Sequence, residues 1–174
     1  LSLDVFADPI CPWCYIGKRN LEKALETYEG PKIEAQLQWR TFMLNPGMPP
    51  EGMDRRTYLE AKFGGRDNAD AVYGRIRQAG LAAGLELEFD KILRTPSTRS
   101  AHRAVRHIQN TDGLERAQAF MEALFVAYFS DGKDIGQVEV LLDLASDVQV
   151  NPDVMWAMFE SEAFIEEINA EDVQ

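Results

Sequence analysis

"DPICPWCYIG", residues 8–17, holds the two cysteines of the chain, Cys11 and Cys14, with Pro12 and Trp13 between them. Two thiols at this spacing serve a metal clip, a structural disulfide or a redox pair. The flanks separate these readings. Upstream, "SLDVFAD" (2–8) alternates Leu3, Val5 and Ala7 against Ser2, Asp4 and Phe6, as a buried strand does. Asp8-Pro9 ends it. Downstream, Ile16, Leu21, Ala24 and Leu25 fall at helical spacing until Gly30-Pro31. Pro12 then sits in the first helical turn, where its missing N–H costs nothing. "KIEAQLQWRTFML" (32–44) returns to period two, with Ile33, Ala35, Leu37, Trp39 and Thr41 on one face. The first ~45 residues thus spell strand–helix–strand, long enough for a parallel crossover.

Zinc needs two more ligands to close a tetrahedral site. The chain offers His102 and His107, five apart on a predicted helix and about 500° apart around its axis. A structural disulfide across so short a loop removes little chain entropy. A redox dithiol needs one exposed, acidic thiol and a second poised to resolve a mixed disulfide. A cysteine at a helix N-terminus meets free N–H groups and the positive end of the helix dipole. The second cysteine lies one turn on, on the same side. The redox reading is therefore favoured: Cys11 the nucleophile, Cys14 the buried resolving thiol, Pro12 fixing the turn, and Trp13 exposed beside the sulfur.

The chain has 174 residues, 45% hydrophobic and 10% aromatic, enough for a folded core. Its formal net charge of −11 argues against nucleic acid and against anionic membrane surfaces. No apolar run approaches the ~20 residues of a membrane span. "LSLDVFADPI" has no basic n-region and no long apolar h-region, so the cytoplasm is the expected location. The chain begins at Leu1 and not at Met, so a lost signal peptide is compatible with the sequence.

"NPGMPPEGM" (45–53) is turn-rich, and all that follows reads helical. The predicted helices are 55–63, 67–84, 96–110, 114–132, 137–148 and 152–173, with "LELEF" (85–89) short and extended. Asn151 is the expected N-cap of the last, with Pro152 at its first position. Ala117, Phe120, Met121, Leu124, Phe125 and Tyr128 form a wide apolar stripe, read as core.

"DVFADPICPWCYIGKRNLEKAL" resembles the active-site segment of the DsbA-like thioredoxin-fold oxidoreductases, specifically their FrnE-type branch. "STRSAHRAVRHI" (97–108) and "EALFVAYFSDGKDIGQVEVLLDLA" (122–145) resemble that branch's helical segments. The resemblance covers essentially the whole chain. It implies an α/β thioredoxin-like fold with an all-helical insertion: residues 1–44 the strand–helix–strand half, 45–150 the insertion, 151–174 a helix leading back to the second half. It implies protein disulfide oxidoreductase activity through Cys11 and Cys14 on a protein or small-molecule thiol or disulfide. No cofactor is expected, glutathione being a candidate co-substrate. The superfamily also holds glutathione-dependent 2-hydroxychromene-2-carboxylate isomerases and kappa-class glutathione transferases, which carry serine at the nucleophilic position. Two cysteines favour redox chemistry. Family members continue past "EEINAEDVQ" into a "G-V-x-G-V-P" loop with a cis proline, two strands and a helix. Neither Gly nor Pro follows Pro152 here, so those strands are expected to be missing from this chain. A redox-inert binding module is the remaining alternative.

Arg99 and His102, in "TRSAH", are candidates for substrate contact, and His102 also for tuning the Cys11 thiolate. Asp8 is a candidate turn cap or proton acceptor. Lys18 and Arg19 read as a solvated helix face.

Overall fold

The computed structural model describes residues 1–172. Strand β1 (Ser2–Ala7) leads through the cysteine turn into helix α1 (Pro12–Thr27), and β2 (Gln36–Thr41) returns parallel to β1. The register pairs Val5 with Trp39 and Ala7 with Thr41. Leu37, Trp39 and Thr41 are buried while Gln36, Gln38 and Arg40 are more open, which is the period-two face expected. The strand is shorter than predicted. Residues 32–35 lie outside it and are mostly exposed, so Ile33 contributes nothing to the core.

The outer edge of β2 is closed by side chains. The Trp39 N–H donates to Gln109 Oε1 (2.8 Å), the Thr41 N–H to Glu171 Oε2 (2.6 Å) and the Met43 N–H to Asp172. Unpaired edge N–H groups are an aggregation hazard. Here two helices satisfy them, so the β1–β2 pair ends on that side.

Beyond β2 come β3 (Met53–Asp54), α2 (Arg55–Phe63), α3 (Arg66–Ala82), a 3-10 turn at Phe89–Lys91, β4 (Arg94–Thr95), α4 (Arg99–Thr111), α5 (Leu114–Phe129), α6 (Val138–Asp147), α7 (Pro152–Phe159) and α8 (Ile165–Asp172). The antiparallel pair β3–β4 is absent from the sequence-based expectation. Two-residue strands carry no periodicity to read. Gly52 makes their approach possible: its φ is +69°, and a Cβ there would lie 2.6 Å from the Thr95 carbonyl oxygen. "LELEF" is not a strand; it leads into the 3-10 turn.

The expected helix 152–173 is two helices, its last residue lying outside the described ones. α7 ends at Phe159, and Phe164 adopts a left-handed φ of 67°. The reason is 55 residues away in sequence: Arg103 donates to the carbonyls of Met158 (2.8 Å), Ser161 (2.6 Å) and Ala163 (2.8 Å). Those carbonyls are turned out of a helical ladder to meet it. Asn151 caps α7 as expected, accepting from the Asp153 N–H at 2.9 Å.

One core joins both parts of the chain. Ala7, Ile10, Tyr15 and Trp39 pack with the α4–α5 pair, where Ala101, Ala104, Ile108, Phe120, Leu124 and Phe125 are fully enclosed. Tyr15 stacks on Phe125 with ring centroids 4.7 Å apart. Helix α4 is covered on nearly every side, so both His102 and His107 are buried despite lying at different angles around it.

Candidate functional site

The cysteine turn is built by its backbone. Asp8 closes the end of β1, and the Cys11 N–H donates to the Asp8 carbonyl at 2.9 Å. Cys11 is the N-cap of α1 and Pro12 occupies its first turn. The Cys14 and Tyr15 N–H groups return to the Cys11 carbonyl at 3.1 and 3.3 Å. Both thiols are free and face each other across one helical turn.

Their proton affinities are pushed apart. The Cys14 thiol donates a hydrogen bond to the Cys11 sulfur, and this is the main reason Cys11 is lowered to about 7. Burial works against it; the N–H groups of Cys14 and Trp13 and the charge of Lys62 work with it. Cys14 moves strongly upward for the complementary reason, its proton being held toward Cys11, with burial adding to the effect. A dithiol whose thiolate settles on one sulfur has a nucleophile and a proton-bearing resolver.

The accessibilities differ from the expectation. Cys11 is only 8% exposed and Cys14 is the more open of the two. The Asp8–Cys11 backbone bond draws the N-cap residue inward and so covers its side chain. Trp13 stands out at 55% exposure, as expected. With Val5, Phe6, Leu21, Leu37 and Trp39 it lines an apolar cavity of about 320 Å³ that opens beside Cys14.

Lys18 is not on a solvated face. It is buried and bridges Glu22 and Glu122 (2.7 Å to the latter's Oε2), while Arg19 pairs with the same two carboxylates. Glu122 comes from α5, more than a hundred residues away, and a local reading of α1 has no access to it.

Arg99 and His102 occupy different places. Arg99 bonds Asn169 and donates to the Pro46 carbonyl at 2.9 Å, tying α8 and the 45–53 loop to the start of α4. His102 lies under the cysteine turn, its Nε2 3.8 Å from Asp8 Oδ1 and without a hydrogen-bond partner among the described residues. Asp8 is fully buried. Its carboxylate accepts from the N–H groups of Leu44 (2.8 Å) and Ile10 (3.3 Å). Sequence reasoning missed Lys62, from α2, whose ammonium donates to the Tyr58 hydroxyl at 2.7 Å. The i, i+4 spacing of Tyr58 and Lys62 was visible, but nothing local tied either to a cysteine.

A parallel strand–helix–strand unit with two cysteines at its helix N-terminus is the arrangement of a thioredoxin-like fold. The family model for the DSBA-like thioredoxin domain matches residues 2–174, and the chain belongs to that family. It is similar to a probable DsbA oxidoreductase from Streptomyces coelicolor, with TM-score 0.84 and 25% identity over 98% of this chain and 73% of that one. The cytosolic disulfide reductase DsbM from Pseudomonas aeruginosa, in a structure with GSH, shares the fold at TM-score 0.64 and 22% identity, over 99% of this chain and 76% of that one. The uncharacterized protein YwbO of Bacillus subtilis (strain 168) is 23% identical over 148 residues, 85% of this chain. The chain spans 66% of that curated relative's length. No helix among the described residues is long and apolar enough to cross a membrane.

Proposed function

We propose that this chain is a thiol–disulfide oxidoreductase in which Cys11 attacks and Cys14 resolves. The observation that carries the reading is the placement of two free thiols at the end of β1, Cys11 as the N-cap of α1 and Cys14 one turn on; the lowering of Cys11 and the raising of Cys14 agree with it. In the reducing direction the Cys11 thiolate attacks one sulfur of a substrate disulfide. That S–S bond breaks, a Cys11 mixed disulfide forms, and the first substrate sulfur leaves as a thiolate that takes a proton from water. Cys14 then loses its proton and attacks Cys11. The Cys11–Cys14 bond forms, the mixed disulfide breaks, and the second substrate thiol leaves. The substrate gains two electrons and the enzyme dithiol loses two; oxidation of a dithiol runs the same steps in reverse.

The substrate is a protein or small-molecule thiol or disulfide. The GSH bound by the DsbM relative favours glutathione as one such partner. The apolar cavity beside Cys14 suits an uncharged portion of the substrate, with Trp13 as its exposed wall. Cys11→Ser is expected to abolish reduction of a model disulfide, and Cys14→Ser to accumulate a mixed disulfide on Cys11. Equal loss in both variants with no trapped adduct would overturn these roles.

A further inference from the structure

At the opposite end of α2 from Lys62 stands a buried charge without a counter-charge. Arg55, the first residue of the helix, is 7% exposed. Its Nη1 donates to the Thr95 hydroxyl at 3.1 Å and the Tyr128 hydroxyl at 3.2 Å, and its Nη2 to the Tyr73 hydroxyl at 2.8 Å. Burial raises both phenols, so the three partners are neutral. No carboxylate among the described residues pairs with Arg55. Burying a charge is costly unless an opposite charge or full hydrogen bonding offsets it. A guanidinium has five N–H groups. Here the Nε–H and the second N–H of Nη2, adjacent on the planar fork, have no protein partner among the described residues, and Nε is not sealed in.

Arg55 lines two adjoining clefts between α2, α3 and the Phe89–Lys91 turn, of about 230 and 320 Å³. The rest of the residue is enclosed, so what it leaves open opens onto them. The acidic side chains of the clefts are engaged elsewhere. Asp70 pairs with Arg66 at 3.7 Å, Asp90 with Arg77 at 3.0 Å and Glu60 with Arg56 at 3.7 Å, while Asp54 accepts from the Thr57 N–H and hydroxyl. The larger cleft also has an apolar wall of Leu59, Phe89, Ile92 and Leu93. Leu93 is 74% exposed. A lone exposed leucine means little, but an apolar wall beside an unpaired guanidinium is the composition of a ligand pocket.

We propose that this cleft binds a small carboxylate with an aliphatic tail. Its two oxygens meet the Nε–H and the free Nη2–H of Arg55, the bidentate match that a guanidinium makes and an ammonium cannot. Its tail lies on Leu59, Ile92 and Leu93. The bound anion gives Arg55 the counter-charge that the fold withholds. The Arg55 fork is held for this contact by its three hydroxyl partners and by the Tyr73 ring, whose centroid is 5.1 Å from Cζ. Neither cysteine lines the cleft, so carboxylate binding and thiol exchange are separate properties of the chain.

Calorimetric titration of the full chain at pH 7 and low salt tests this, with octanoate as the probe and octanol and octylamine beside it. Octanoate is expected to bind saturably with one equivalent. Octanol, with the same tail and no charge, is expected to bind on the order of 10-fold more weakly, and octylamine not measurably. Arg55→Lys keeps the charge and loses the fork, and is expected to weaken octanoate by on the order of 10-fold. Leu93→Asp changes an exposed residue and puts a like charge in the wall; it is expected to weaken octanoate by a similar factor. The rate of Cys11 alkylation in Leu93→Asp is expected to match the unaltered chain, which separates a lost ligand from a lost fold. Absence of saturable octanoate binding overturns the inference. So does octanol binding as tightly as octanoate, or an octanoate affinity left unchanged by Leu93→Asp.

Discussion

Replacing Asp8 by Asn should change how stability depends on pH, not merely its level. The folded carboxyl is raised from 3.8 to about 7 by burial, so between those values the folded state binds more protons than the unfolded chain. Stability from this group is therefore fully present below the unfolded value and is lost as pH rises through the folded one. Integrating from about pH 4.5 to about pH 6.5 gives a loss of about 2.5 kcal/mol. His102 has the opposite sign. It is lowered from 6.5 to about 4, so the unfolded chain binds the extra proton and stability rises with pH. Over the same window it contributes a gain of about 2 kcal/mol. The two nearly cancel in the unaltered chain. Asp8→Asn removes the falling contribution and leaves the rising one of His102, whose neighbour is neutral in the variant and mostly neutral in the unaltered chain over this window. Urea unfolding of the reduced proteins across this window should show the stability difference, unaltered minus variant, falling by about 2.5 kcal/mol as pH rises. The Asn amide offers one acceptor oxygen to two N–H groups, which lowers stability by a constant amount and leaves the slope intact. Parallel curves would show that Asp8 is not protonated in the native state and would refute the reasoning.

The rate of Cys11 alkylation by iodoacetamide should titrate with a midpoint near 7, below the ~8.5 of a free thiol. Cys14→Ala should raise that midpoint, since it removes the hydrogen bond that lowers Cys11 most; a fixed midpoint would place the cause elsewhere. Lys62→Gln should raise it by a smaller amount, read from the same titration, and added salt should reduce the difference. Arg103→Ala should destabilise the fold by about 2–3 kcal/mol, measured by the urea midpoint, because three carbonyls at the end of α7 and in the turn to α8 lose their shared donor.

What the sequence disclosed follows the range of the interactions that decide each feature. The β1–α1–β2 order, the N-cap place of Cys11 and the Asn151-Pro152 start of α7 are local: period, proline and cap are written in adjacent residues. The break between α7 and α8 depends on Arg103, and the burial of Lys18 depends on Glu122, so neither shows in a window around itself. "NAEDV" carries helical residues whichever way it is packed. Glu171 and Asp172 take on their role only because β2 presents free N–H groups to them. Cys11 and Cys14 were visible as a pair; the burial of Cys11 was not, because the backbone bond to Asp8 that draws it in is a feature of the turn and not of its composition.

The same distinction explains the burial of Asp8. Asp8 stands three residues before Cys11 and any reading of the turn includes it, but a turn aspartate is ordinarily a cap exposed to water. Burial gives it a different chemistry, and that burial is supplied from the helical part of the chain: α4 brings His102 and Thr98 over it, and residue 44 closes the other side with its N–H. A helical segment that merely bridged the two halves of the fold would have no need of a buried histidine facing the end of β1. Its presence there means that the strand–helix–strand unit contributes the thiols, and the helices after it close over the end of the strand from which they rise.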